Sequence, residues 1–124
     1  MYNNVIREKT YNFALRIVNL YKYICNSQKE YVLSKQVLRS GTSIGAMVEE
    51  ALQAESKADF IHKLSIANKE SNETYYWLRL LRDSDYLSAK EFDSIEIDCK
   101  EIIKLLISII KKSKQNLKKF TIEN

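Results

Sequence analysis

The single histidine of the chain, His62, stands three residues after Asp59, the spacing at which a carboxylate and an imidazole share one helix face and hold iron in helical bundles. One such pair falls short of a metal centre. A di-iron bundle takes two acid-plus-histidine pairs with further glutamates, and there is no second histidine. By its helical position His62 also points away from the apolar face of its segment, so it reads as a surface side chain. Glu49 and Glu50 are adjacent, diverge by about 100° on a helix, and cannot form a carboxylate dyad. Cys25 and Cys99 are far apart and outside any CxxC or Cys/His spacing, which predicts reduced thiols of a cytosolic (cytoplasmic) protein. No phosphate loop, nucleophile elbow or metal motif occurs. The expectation is a protein that binds instead of catalysing, with no catalytic residue, metal or cofactor.

The remaining chemistry is charge. Lys100, Lys104, Lys111 and Lys118 recur at helical spacing, with Lys114 beside them and Lys112 and Lys119 around the corner, in a stripe about 27 Å long at the helical rise. Such a row either neutralises nucleic-acid phosphates with little sequence preference or is solvated surface. The net charge of +4 conceals an asymmetry. Residues 1–40 hold seven Lys/Arg against two Asp/Glu, residues 41–99 six against twelve, and residues 100–124 seven against two. Basic ends flank an acidic middle, which suits a polyanion partner, self-association, or both.

The elements that must position these residues are helices. The chain has no proline and only two glycines, and its apolar residues recur at helical spacing. A first helix is expected from about Asn3 to Ile24, a polar break at residues 25–30, and a second helix from near Glu30 to about Ala54, with Leu33, Val37, Ser40, Ile44, Val48 and Ala51 inward. Ser56 with Asp59 starts a third helix, whose inner face is Phe60, Leu64, Ala67, Ser71, Thr74, Tyr75, Leu78 and Leu81. After a connection at residues 82–88, Ser88 and Glu91 form a capping box for the fourth, lined by Phe92, Ile95, Cys99, Ile102, Leu106, Ile109 and Leu117. Short polar connections make neighbours antiparallel. The expected fold is all-α: an up-down-up-down antiparallel four-helix bundle in one domain spanning residues 1–124. The longest apolar run, LLISII, is too short for a membrane span, and no secretory signal can be drawn from the charged first twenty residues.

Two features exceed a plain bundle. Gly41 and Gly45 lie one turn apart beside the core stripe of the second helix, with Leu38 and Leu52, where another backbone can come close. That crossing is either within the chain or between subunits. On the third helix Ile66, Glu70, Glu73, Trp77 and Leu80 form a second stripe about 100° from the core face. Trp77 reads as an interface anchor or as an edge residue covered by a neighbouring helix. In the assembly reading, Gly41, Gly45, Ile66, Trp77 and Leu80 meet another subunit, and Glu70 and Glu73 pair with its basic residues.

Residues 33–87, above all LRSGTSIGAMVEEALQAESKADFIHKLSIANKESNETYYWLRLL, resemble the four-helix-bundle family of 23S rRNA intervening-sequence proteins. The resemblance rests on Arg39, Ser43, Ile44, Glu49 and Glu50, then on Phe60, Leu64, Ala67, Lys69, Glu70, Glu73, Thr74, Trp77 and Leu78. It implies a ring-like homopentamer, a bacterial cytoplasmic origin and no known catalytic activity. A similar bundle is the accessory variability protein of diversity-generating retroelements, a basic pentamer that engages a reverse transcriptase and nucleic acid. The partners so implied are further copies of the chain, RNA or DNA backbone, and a protein such as a partner enzyme. The family often carries asparagine where this chain has Met47, which removes a polar group from near the second helix's core.

Overall fold

Apolar stripes and local caps divide the chain into four helices in the computed structural model, which describes the backbone of residues 2–123 and the side chains of residues 3–119. They are α1 (Tyr2–Tyr23), α2 (Leu33–Leu52), α3 (Lys57–Asp83) and α4 (Ala89–Glu123). Each helix packs on its predecessor and α4 closes the ring against α1. Asn3 of α1, Leu52 of α2, Phe60 of α3 and Ser113 of α4 line one cavity, so the start of α1 and α3 meets the far end of α2 and α4. This is the expected up-down-up-down bundle.

The helix starts show why the chain breaks where it does. The Ser56 hydroxyl accepts the Asp59 N–H at 3.0 Å, and Ser88 and Glu91 exchange the two bonds of a capping box at 2.9 and 3.1 Å. The first connection departs from expectation. α1 runs into a π-helical turn at Ile24–Gln28, Lys29 adopts the left-handed conformation at φ 55°, and the next helix begins at Leu33 instead of near Glu30. Glu30 stays outside α2 because its carboxylate caps it, accepting the N–H groups of Val32, Leu33 and Ser34 at 2.9, 2.8 and 2.8 Å. The other tight turn uses Asp85, at φ 67°, and both glycines lie within α2. α2 also ends at Leu52, two residues short of the expected Ala54.

The core follows the expected stripes with local substitutions. Ile6, Phe13 and Ile17 meet Val37, Ile44 and Val48, Leu64, Leu78 and Leu81, and Phe92, Ile102 and Leu106. Thr10, Ser34, Ile61 and Ser113 are also buried, whereas Leu33, Phe60 and Leu117 are only half-buried. Polar core positions are accommodated by hydrogen bonds: Thr10 donates to the Ile6 carbonyl at 2.8 Å, and Thr74 lies 2.9 Å from the Ser40 hydroxyl between α2 and α3. Met47 is half-buried and packs its flexible apolar side chain against the core.

Helix length is unequal. The 35 residues of α4 span about 52 Å and the 20 of α2 about 30 Å at 1.5 Å per residue. Ser113 is the last buried residue among the described side chains, so α4 continues beyond the common core.

Candidate nucleic-acid interface

Charge is distributed unevenly over these helices. On α4, Lys100 is held by Glu96 at 3.3 Å and stands 5.4 Å from the Tyr75 ring centroid. The hydrogen bond to Glu96 raises the Lys100 pKa, while the Tyr75 hydroxyl, aided by Lys100, keeps the Glu96 carboxyl below the usual range. Lys104, Lys111 and Lys118 are exposed and have no ion-pair partner among the described residues. The four lysines are therefore not equivalent: Lys100 is paired, and the other three have no ion-pair partner among the described residues.

A groove of about 440 Å³ between α3 and α4 extends the row sideways. Lys111 and Lys114 line it from α4, Lys69, Ser65 and Asn68 from α3, and Ile107 and Ile110 form its apolar part. Lys69 belongs with the row but was not legible as part of it, because charge read along one helix misses a residue facing it from the next. The signal that would have found it is the interhelical register: Leu64 and Ala67 face inward in α3, as do Leu106 and Ile109 in α4.

The second stripe of α3 has partners inside the chain. Arg39 of α2 reaches Glu70 at 3.2 Å and also pairs with Glu73, and Glu73 accepts the Trp77 indole N–H at 3.2 Å. Glu70 and Glu73, expected to pair with basic residues of a neighbour, thus each have a basic partner, Arg39, within the chain. Trp77 is half-buried and packs on the core; Ile66 and Leu80 are half-buried. Gly41 is buried against α1, where an added Cβ would stand 2.7 Å from Ile17 Cγ1, so its close crossing is within the chain. A Cβ added at Gly45 would stand 3.4 Å from the Thr10 carbonyl of α1, and Gly45 borders a groove of about 550 Å³ between α1 and α2.

The remaining reactive types are accounted for locally. His62 is exposed, and no group of three or more potential ligands gathers among the described residues. Glu49 pairs with Arg7 of α1 at 2.9 Å and Glu50 with Lys63 of α3 at 3.2 Å, so the adjacent carboxylates turn to opposite neighbours. Both cysteines are free, and burial pushes the Cys99 thiol up to about 12. No described helix is long and apolar enough to cross a membrane.

Known proteins place this arrangement. A solved structure of a protein of unknown function from the S23 ribosomal protein family of Bacteroides thetaiotaomicron VPI-5482 is 60% identical, with a TM-score of 0.88, over 90% of this chain and 99% of its own. No curated protein matches the chain. The family model described as 23S rRNA-intervening sequence protein matches residues 2–108, which takes in all of α1 to α3 and α4 as far as Ser108. With that match over most of its length, the chain belongs to the 23S rRNA-intervening sequence protein family.

Proposed function

We propose that this protein is a non-catalytic, self-associating helical bundle that binds RNA or DNA through its backbone phosphates. The observation that carries the reading is the row Lys104, Lys111 and Lys118, exposed, without carboxylate partners among the described residues, and joined across the α3/α4 groove by Lys69. Point-like ammonium groups along a rigid helix neutralise phosphates without reading bases. Self-association, as a homopentamer, accords with the family resemblance and is supported by apolar side chains that α1 leaves in solvent: Val5, Tyr11 and Leu15. Tyr11 adjoins the α1/α2 groove beside Gly45 and Ala46, which gives a second subunit a recessed contact.

Fluorescence anisotropy with a generic RNA tests the binding, and light scattering tests the assembly. Replacing Lys104, Lys111 and Lys118 by Gln should weaken binding and reduce the slope of log K against log salt by up to about 0.7–0.9 for each phosphate that is no longer neutralised. An unchanged slope assigns binding to another surface. Absence of any complex at low salt favours a protein-interaction scaffold or adaptor for a partner enzyme, and a monomer at micromolar concentration excludes the assembly.

A further inference from the structure

The consecutive residues Tyr75, Tyr76 and Trp77 place three rings about 100° apart around α3. Tyr75 turns toward α4, where its hydroxyl donates to Glu96 at 2.7 Å and its ring tilts against Phe92 at 6.3 Å. Tyr76 is 49% exposed and stands edge-on to Trp77, with centroids 5.0 Å apart and planes at 72°. The Arg79 guanidinium lies over both tyrosines, 5.3 Å from the Tyr75 centroid and 6.0 Å from that of Tyr76. Lys100 completes the series from α4 at 5.4 Å from Tyr75. Cations and rings thus continue from the start of the lysine row on α4 to the exposed ring of Tyr76.

The nearby carboxylates do not neutralise this surface as a whole. Glu96 is engaged by Tyr75 and Lys100, Glu73 by Arg39 and Trp77, and Asp83 by Arg82. Arg79 forms no salt bridge among the described residues. A half-exposed ring beside a guanidinium that has no salt bridge among the described residues is a platform for a planar group: bases stack on aromatic and guanidinium faces alike. A base within a duplex is already stacked on both sides and cannot use it.

We infer that Tyr76 and Arg79 form a stacking site for unpaired nucleobases, and that the protein therefore prefers single-stranded nucleic acid to duplex. The inference rests on the reading of the lysine row as a phosphate-binding surface, since the platform adds base contacts to a strand held by that row.

Anisotropy titrations of the full chain with a labelled single-stranded RNA, its duplex, and inorganic polyphosphate as competitor separate the two contributions. Tyr76→Ala should weaken single-strand binding about tenfold, the scale of one base stack, while leaving the salt slope and polyphosphate competition unchanged. Tyr76→Phe, which keeps the ring, should bind like the parent. Unchanged single-strand affinity in Tyr76→Ala, or equal affinity of the parent for single strand and duplex, overturns the stacking site while leaving the phosphate reading intact. A change in particle mass on Tyr76→Ala overturns it by making this face a protein interface. Failure of the parent to bind any of the probes overturns both readings.

Discussion

Gly41 of α2 and Ile17 of α1 approach so closely that a Cβ on the glycine would fall 2.7 and 2.8 Å from two carbons of the isoleucine side chain. The clashing atoms are the branch carbons next to the isoleucine Cβ, which cannot swing away as a flexible chain end would. Gly41→Ala should therefore destabilise the protein by about 1–3 kcal/mol despite the better helix propensity of alanine. At Gly45 the added Cβ meets Thr10 at 3.4 to 3.7 Å, an ordinary contact. Gly45→Ala should leave stability unchanged or raise it by up to about 1 kcal/mol. Urea unfolding of the two variants checks the contrast, and equal effects would contradict it.

Lys29 holds a left-handed backbone at φ 55° without being glycine. That conformation costs a residue with a Cβ about 1–2 kcal/mol. Lys29→Gly should raise the melting temperature, although the gain is reduced by the larger entropy of a glycine in the unfolded chain. A lower melting temperature would show that the Lys29 side chain contributes more than its backbone costs.

Acid should loosen the start of α2 through Glu30. Partial burial raises the pKa of this carboxyl, but the N–H groups of Leu33, Ser34 and Val32 outweigh it and leave the pKa below the ordinary 4.5. A lowered native pKa means stability that is present above about pH 4.5 and is lost as pH falls through the native value. Glu30→Gln should cost about 1 kcal/mol at pH 7, the scale of a helix cap, and the difference from the parent should shrink below pH 4.5. Denaturant midpoints measured across this range test the sign.

The two thiols should separate by reactivity. Cys99 is buried, donates to the Ser71 carbonyl at 3.7 Å, and has its thiol pushed up to about 12. Thiolate is the reactive form, so at pH 8 a thiol reagent should modify half-buried Cys25 first and Cys99 only as the bundle opens. Because the native pKa exceeds the ordinary 9.0, the neutral thiol contributes stability below pH 9 that is lost as pH rises toward 12. Mass spectrometry of a labelling time course reads the order directly; simultaneous modification would contradict it.

What could be read from the chain was whatever depended on neighbours in sequence. Ser56 with Asp59 and Ser88 with Glu91 announced helix starts because a cap and its target lie within one turn. The inward stripes were legible for the same reason, down to Cys99 and Ile109. The turn at Lys29 was hidden because a left-handed residue without glycine carries no compositional mark. Pairings between helices were hidden more deeply: Arg39 with Glu70 and Glu73, or Lys69 beside Lys111, depends on how helices are rotated and shifted against one another. Gly41 joined both cases. Its need for space was visible in the sequence, whereas the occupant of that space, Ile17, was not.

The extension of α4 past Ser113 has an electrostatic consequence. At physiological salt, charge is felt over about 8 Å, whereas the helix continues for ten residues to Glu123, about 15 Å at the helical rise. Lys118 and Lys119 are carried on this extension, exposed and without an ion-pair partner among the described residues. For the proposed polyanion partner, these lysines would add local positive charge at the end of α4 to a molecule whose overall charge is only +4. Shortening this extension should lower the rate of encounter more than it lowers the stability of the bundle, because the tip lies past the last buried side chain described for α4.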